Sequence, residues 1–185
     1  HVGEGATGTG LDGVQRESWS SVKEVSKLAE LLLEGSEGRS QGTHESQGVL
    51  IRADPGTGKT WSMQQLGHTI AGKQAHEHAD GLMLMPLFVP IQQLAKHLGE
   101  EEPLLRWVDN NVEEGAQRDA LHVAYRWRAL IVLLDGVDEA AGKRDAVEDL
   151  VLQTLVPMGQ RVVVSSRPEG VTLARYSEAR FVVMN

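Results

Sequence analysis

From residue 49 to the end of the chain, short apolar runs alternate with stretches in which apolar residues recur every three or four positions. Short apolar runs predict strands, and the three-to-four-residue spacing predicts helices. Alternating strands and helices favour a parallel sheet with helices on both faces. Pro86 lacks the N–H that an inner strand would donate, so the second strand is expected at an edge. The strands are predicted at residues 49–53, 82–89, 129–134, 162–166 and 181–184.

Helices are predicted over the intervening segments. Residues 73–81 carry His76 and His78 and are predicted to form a polar loop. The tryptophans at positions 107 and 127 are predicted to pack in the interior. The predicted helices cover residues 59–72, 91–98, 104–112, 121–128 and 147–155.

Residues 1–48 carry a different pattern. Residues 1–13 are rich in Gly and Thr, which predicts a flexible lead-in. They spell G-x-G-x-x-G twice, but no strand precedes either copy and no helix pattern follows, so a dinucleotide site lacks its context. One helix is predicted at about residues 18–34, since Ser21 and Glu24 form a capping-box pattern and Gly35 is a plausible stop. A polar linker then leads to a domain expected at residues 49–185.

Composition narrows the function classes. The 185 residues suit one domain, and the net charge of −8 argues against nucleic acid and anionic membranes as partners. The absence of cysteine excludes disulfides and thiolate chemistry. No apolar run is long enough for a membrane span and no secretory signal is visible, so a cytoplasmic protein is expected. The chain begins at His1 and not at Met, so a processed product or a piece of a longer protein is expected.

The first apolar run leads directly into a glycine-rich loop at residues 53–60, ADPGTGKT. A strand, this loop and a following helix form the layout of a phosphate-binding P-loop. The loop residues Asp54, Pro55, Gly56, Thr57 and Gly58 can surround phosphates, and all of them except Pro55 offer a backbone N–H. The start of the following helix also favours negative charge. Lys59 can reach the β- and γ-phosphates, and the Thr60 hydroxyl can ligate Mg²⁺. Ala53 departs from the usual first glycine. Trp61, directly after Thr60, either packs beside the nucleotide and belongs to its binding site or fills core space, and both alternatives stay open.

A second motif follows the apolar run at residues 130–134. It ends in Asp135, at the strand end where ligands bind in an open α/β sheet. With a P-loop in the same chain, Asp135 is predicted to hold Mg²⁺ opposite Thr60. Asp138 and Glu139 follow, and either can position a water for attack on the γ-phosphate.

A third motif ends the strand at residues 162–166. Arg167 comes directly after two serines. A guanidinium at the ligand-facing end of this strand can contact the terminal phosphate and so distinguish ATP from ADP.

Together these three motifs resemble the NACHT group of signal-transduction (STAND) P-loop NTPases. Gly136 stands where AAA+ relatives usually carry the catalytic Glu, and the acidic pair lies three and four residues beyond Asp135, as in NACHT domains. The resemblance implies a three-layer α/β fold with a five-stranded parallel sheet. It places strand 162–166 between the P-loop strand and the strand before Asp135, with residues 82–89 and 181–184 at the two edges.

The resemblance also implies a function, a Mg-ATP/ADP-binding switch with slow ATP hydrolysis. In the full-length protein it implies self-association and signalling partners. Two alternatives stay open: a nucleotide-binding scaffold locked by ADP, and an AAA+-like motor. ATP is favoured over GTP because the Asn-Lys-x-Asp motif of guanine-specific GTPases is missing from the sequence.

Overall fold

The computed structural model describes residues 22–34, 48–77 and 83–185. Within them the strands and helices alternate, as the apolar pattern predicts. The Gly-rich lead-in, both G-x-G-x-x-G sequences, Gly35, the linker and His78 lie outside the described residues. The strands are β1 Gly48–Arg52, β2 Met85–Pro90, β3 Leu130–Asp135, β4 Arg161–Ser166 and β5 Val182–Met184. The α-helices are α1 Val22–Glu34, α2 Lys59–Glu77, α3 Ile91–Leu94, α4 Pro103–Asn111, α5 Ala116–Arg126, α6 Arg144–Asp149 and α7 Leu173–Glu178.

Three further helical segments complete the described elements. A 3₁₀ segment, Val137–Lys143, follows β3 and is interrupted at Ala141, whose φ is +50°. A π-helical segment, Leu150–Leu155, continues α6, and a 3₁₀ turn, Pro168–Gly170, follows β4.

All five strands are parallel and lie in the order β2-β3-β4-β1-β5. The predicted fold class and the predicted strand order are therefore confirmed, with β4 between the P-loop strand and β3. β2 forms one edge of the sheet, so the missing N–H of Pro86 does not cost a hydrogen bond to a second neighbouring strand. The carboxyl ends of β1, β3 and β4 consequently lie side by side, and all three predicted motifs begin there.

The core is aliphatic and centres on β3, where every residue from Leu130 to Leu134 is fully buried. Successive side chains of a strand point to opposite faces, so both faces of β3 must be covered by helices. α2 contacts β2, β3 and β4, and Gly67 brings its backbone close to the sheet, since a Cβ there would lie 3.2 Å from Leu133. α1 packs on α2, and an ion pair of 2.8 Å joins Glu30 to Lys73.

Three local predictions are wrong. α2 does not end near Gly72 but continues to Glu77, and the buried Gln74 side chain hydrogen-bonds both the N–H and the C=O of Leu84. These bonds tie the late turns of α2 to the entry of β2. The helix predicted at residues 91–98 ends as an α-helix at Leu94. Trp107 is buried as predicted, but Trp127 is 71% exposed because it lies at the end of α5, beyond its buried stripe.

No described helix has the length and apolar character that crossing a membrane requires.

Candidate nucleotide site

The P-loop joins β1 to α2 at the carboxyl edge of the sheet. Gly56 and Gly58 have φ values of +78° and +84°, a region that residues with a Cβ adopt only at a cost. A Cβ at either position would meet no atom within 4 Å, so backbone angles and not crowding select glycine. The loop is closed by a turn in which Thr57 donates to the Asp54 carbonyl from its hydroxyl, at 2.8 Å, and from its N–H, at 3.4 Å.

Ala53 fits its position without strain. Its N–H donates to the Ser166 carbonyl at 3.1 Å, which extends the pairing of β1 with β4. Its φ is not in the left-handed region, which among the described non-glycine residues is confined to Glu102, Arg128, Ala141 and Arg180. The departure from the usual glycine therefore leaves the loop geometry intact.

Lys59 is the first residue of α2, and its side chain folds over the loop. Its ammonium donates to the carbonyl oxygens of Ala53, at 2.8 Å, and Asp54, at 3.2 Å. The first N–H groups of a helix have no partner within the helix, and they favour an anion at this end. The ammonium and the helix start thus present positive charge to the same space.

Asp135 lies at the carboxyl end of β3 and faces the P-loop. Its Oδ2 accepts a hydrogen bond of 2.7 Å from the Thr60 hydroxyl, and its Oδ1 accepts one of 2.5 Å from the Ser165 hydroxyl. Ser165, fully buried in the neighbouring β4, also accepts from the Gly136 N–H at its side-chain oxygen, at 3.0 Å, and at its carbonyl, at 3.2 Å. The carboxylate is therefore held in place from two strands and the P-loop helix.

Asp138 and Glu139 follow Asp135 in the 3₁₀ segment but have different surroundings. Asp138 is largely buried and pairs with Arg167, whose Nε lies 2.9 Å from its Oδ2. Glu139 is exposed, and its Oε2 accepts a hydrogen bond of 2.8 Å from the Gln92 side chain. Gly136, with φ at +81°, makes the turn that brings both acids back over the strand end.

A cavity of about 350 Å³ brings most of the predicted site residues together. Asp54, Thr57 and Trp61, which the sequence also assigned to nucleotide binding, are exposed and do not line it. The charged side chains that line the cavity are two cations and three carboxylates. One of these carboxylates, Asp138, is already paired with Arg167. The lining residues are Pro55, Gly56, Gly58, Lys59, Thr60, Asp135, Gly136, Asp138, Glu139 and Arg167.

Two site residues carry roles that the sequence reasoning did not assign. Ser165 fixes the Asp135 carboxylate, and Gln92 fixes Glu139. Ser165 was detectable in principle, because it precedes Arg167 at the end of a strand predicted beside β3. Gln92 had no such signal, since it lies in a short helix after an edge strand and reaches Glu139 only in the folded chain.

Known proteins were compared at the level of sequence and of structure. No protein-family model and no curated protein matches the chain in sequence. Among solved structures, it is similar to PCH-2 of C. elegans, with a TM-score of 0.53 and 14% identity over 88% of this chain and 41% of that one. It is also similar to the ORC2 protein of Aeropyrum pernix in its ADP form, with a TM-score of 0.54 and 16% identity over 95% of this chain and 50% of that one.

A third similar structure is the replication initiator DnaA bound to AMPPCP and single-stranded DNA. The TM-score is 0.51, with 15% identity over 94% of this chain and 47% of the other. The chain spans half or less of the length of all three structures. At such low identities the likeness defines the fold, a five-stranded parallel sheet with flanking helices. The chain therefore has the α/β fold of the P-loop NTPases.

Proposed function

We propose that this domain binds Mg-ATP and Mg-ADP and acts as a NACHT-type switch with slow ATP hydrolysis. One observation carries the proposal: the hydrogen bond of 2.7 Å from the Thr60 hydroxyl to Oδ2 of Asp135. It brings the helix that follows the phosphate loop and the acidic strand end to one point. This pair of oxygens is the ligand set through which P-loop NTPases hold magnesium.

The residues fit a magnesium-bound polyphosphate. Hydroxyl and carboxylate oxygens are the ligands that Mg²⁺ prefers, and Thr60 and Asp135 supply one of each. The open space over Gly56 and Gly58 leaves the loop backbone accessible to phosphate oxygens. Because the cavity carries one more carboxylate than cations, a polyphosphate is better accommodated together with a divalent cation than alone.

Each group of residues at the site then has its own role towards the bound nucleotide. The loop amides and Lys59 bind the β- and γ-phosphates, and Thr60 and Asp135 hold the metal. Bound magnesium supplies neutralisation of the phosphate charge. Arg167 contacts the terminal phosphate, and a carboxylate of the 3₁₀ segment orients the attacking water. Loss of the terminal phosphate removes a partner of Arg167, and this is the event that shifts the conformational equilibrium.

The turn at Gly136 supports a NACHT-type site over an AAA+-like motor. A motor of that kind requires a Glu directly after Asp135. A Cβ at position 136 would lie 3.2 Å from Cδ of Glu139, and φ is +81°. Any side chain there is strained, so the turn is built for glycine and the acids three and four residues on take the place of the missing Glu.

A second candidate function is a scaffold that binds nucleotide without useful turnover. The contacts of both acids favour it, since Asp138 is paired with Arg167 and one oxygen of Glu139 is bound by Gln92. Turnover by the parent protein that the double variant Asp138→Asn/Glu139→Gln abolishes would support the switch with hydrolysis. Nucleotide binding by a parent protein with no turnover would support the scaffold.

The central test is calorimetric titration of Mg-ATP and Mg-ADP into the parent protein and Lys59→Ala. Lys96→Ala is the matched control, because Lys96 is exposed and does not line the cavity. We expect Lys59→Ala to lose measurable binding while Lys96→Ala retains the parent affinity. Equal affinities in Lys59→Ala and the parent would overturn the proposal.

Four wider properties of the protein are predictions beyond this site. They are self-association or signalling partners of the full-length protein, a cytoplasmic location, no nucleic-acid partner and no membrane partner. The similar DnaA structure contains single-stranded DNA, so a DNA-binding assay with the purified domain is a direct test of the third. We expect no binding at physiological salt, given the net charge of −8.

A further inference from the structure

We propose that Asp138 is the positioning residue of Arg167 and that Glu139 alone faces the attacking water. This inference rests on the proposed function and divides the acidic pair, whose two members the sequence leaves equivalent. Asp138 would then set how well the domain distinguishes ATP from ADP, and Glu139 would set the rate of hydrolysis.

Among the described residues, the side-chain hydrogen bonds and the ion pair of Asp138 all join it to the segment that carries Arg167. Its Oδ2 forms an ion pair with Arg167, whose Nε lies 2.9 Å away, and its Oδ1 accepts a hydrogen bond from the backbone N–H of Arg167 at 3.0 Å. The buried Ser166 hydroxyl lies 3.5 Å from the same Oδ1. Each carboxylate oxygen therefore already has a partner in the segment that carries Arg167, which leaves Asp138 less free than Glu139 to orient a water.

The 3₁₀ turn after Arg167 packs directly on Asp138. A Cβ at Gly170 would lie 2.5 Å from Cβ of Asp138 and 2.4 Å from Oγ of Ser166. The turn is closed by a hydrogen bond of 2.9 Å from the Gly170 N–H to the Arg167 carbonyl. Arg167 is thus held at its backbone and at the inner nitrogen of its side chain by the same acid.

This mode of pairing leaves the outer end of the guanidinium available. Asp138 engages Nε, so the two terminal nitrogens of Arg167 are not used in this ion pair. The side chain is 44% exposed, and Arg167 lines the cavity that also contains Lys59 and Thr60. A guanidinium fixed at one side can offer its other donors to a phosphate with little loss of side-chain entropy.

Arg167, together with Asp138 and Glu139, also lines a second cavity, of about 520 Å³. Arg144 and Asp145 line that cavity together with Glu169. Without Asp138, the flexible side chain of Arg167 can move into this second cavity and pair with Asp145 or Glu169 there. The ion pair is what keeps the guanidinium beside the phosphate site.

Glu139 has the opposite surroundings. It is exposed and lines the same cavity as Lys59, and among the described residues only its Oε2 accepts a side-chain hydrogen bond, from Gln92. Its backbone N–H donates to the Gly136 carbonyl at 2.9 Å, which fixes it next to the strand end. Glu139 therefore retains an oxygen that can accept a hydrogen bond from water.

The test measures the Kd for Mg-ADP divided by the Kd for Mg-ATP in five proteins. They are the parent, Asp138→Asn, Arg167→Ala, the double variant Asp138→Asn/Arg167→Ala, and Glu139→Gln. The amide of Asp138→Asn can still accept from the Arg167 backbone N–H but has no charge to pair with the guanidinium. Because the lost contact is an ion pair with a largely buried carboxylate, we expect Asp138→Asn and Arg167→Ala each to shift the ratio about tenfold towards ADP. The double variant should match Arg167→Ala, since Asp138 acts through Arg167.

Glu139→Gln separates the two roles. We expect it to lower the hydrolysis rate and leave the Kd ratio unchanged. A ratio that Asp138→Asn leaves unchanged while turnover falls would overturn the proposal, because Asp138 would then act on the water.

A second measurement needs no nucleotide and also covers a variant that folds poorly. Thermal unfolding of the parent protein, Asp138→Asn, Arg167→Ala and their double variant forms a double-mutant cycle for the ion pair. We expect each single substitution to lower Tm by a few degrees and the double variant to lower it no further than the larger single effect. Additive shifts would overturn the positioning role. A parent protein that binds neither nucleotide would overturn the proposed function, and the unfolding cycle would still decide whether Asp138 holds Arg167.

Discussion

The Thr60 hydroxyl lies 2.7 Å from Oδ2 of Asp135, although 75 residues separate the two positions along the chain. The contact exists because β3 and β1 are both parallel strands that end at the same edge of the sheet, with only β4 between them. β4 contributes to it as well, through the Ser165 hydroxyl on the other oxygen of the carboxylate. Three chain segments thus define one oxygen-rich point beside the phosphate loop.

The first prediction concerns the charge at this point. Asp135→Asn keeps an oxygen that can accept from Thr60 or Ser165 but removes the negative charge that favours a divalent cation. We expect nucleotide affinity in Mg²⁺ to fall by about 10- to 100-fold, and affinity in EDTA to change little. Titration of a fluorescent ADP analogue with and without Mg²⁺ measures both values.

Ser165→Ala is the comparison for this experiment. It removes one hydrogen bond to the carboxylate and leaves the charge in place. We expect an intermediate loss of Mg²⁺-dependent affinity. If Asp135→Asn retained the full magnesium dependence of the parent, Asp135 would not be a metal-holding residue.

The order of strands and helices was predictable because each element has its own apolar spacing. The continuous run before Asp135 indicated a strand buried on both faces, and it is one. The spatial order of the strands is not written in the spacing and came from the family resemblance. The C-terminal end of α2 was missed because propensity favours a stop near Gly72, whereas two hydrogen bonds between the Gln74 side chain and the Leu84 backbone, one donated by each residue, favour continuation.

The site was predictable to the extent that its residues stand in contiguous motifs. Lys59, Thr60 and Asp135 were predicted and lie together. The pairing of Asp138 with Arg167 was not predicted, because it depends on how two loops 29 residues apart pack after different strands. The exposure of Trp127 was missed for a related reason, since helical spacing does not show where the covered part of a helix ends.

A second prediction uses two glycines with opposite environments. Gly136→Ala places a Cβ at φ +81° and 3.2 Å from the Glu139 side chain, so we expect a loss of about 1–2 kcal/mol in the free energy of unfolding. Gly72→Ala lies within α2 with no atom within 4 Å, so we expect a gain of about 0.5–1 kcal/mol. Urea unfolding of both variants measures the difference. Equal effects of one sign would contradict the backbone assignments.

A third prediction concerns Trp61, which is 57% exposed and directly follows Thr60. Its ring lies on the first turn of α2, where bound phosphate would alter the local field. We expect Mg-ADP to change the tryptophan emission of the parent protein and of Trp127→Phe, and the change to be largely lost in Trp61→Phe. A full change in Trp61→Phe, or none in a parent protein that binds Mg-ADP, would contradict this assignment.

The last prediction concerns Tyr176, which is fully buried in α7. Its hydroxyl has no hydrogen-bond partner among the residues that the structure describes, and its ring meets that of Phe181 edge to face at 5.0 Å. Burial, and then the charge of Glu148, raise the pKa of Tyr176 well above its ordinary value of 10.0. The unfolded chain therefore releases this proton at a lower pH than the folded chain does.

The sign of the pH effect follows from that difference. Keeping Tyr176 protonated in the folded chain contributes fully to the free energy of unfolding below about pH 10. This contribution is lost as the pH rises from there towards the raised pKa of Tyr176. Tyr176→Phe keeps the ring contact and removes the ionisable group, so its free energy of unfolding should fall less steeply above pH 10. At neutral pH it should be equal to the parent or more stable by about 1 kcal/mol, because a buried hydroxyl without a partner is removed.

Chemical unfolding across the alkaline range measures both effects. Tyr125→Phe is the comparison, because burial and then Glu102 also raise the pKa of Tyr125, but its hydroxyl donates to the Met158 sulfur at 3.5 Å. We expect Tyr125→Phe to lose a little stability at neutral pH, unlike Tyr176→Phe. An alkaline slope in Tyr176→Phe as steep as that of the parent would show that the Tyr176 hydroxyl is not desolvated in the folded chain.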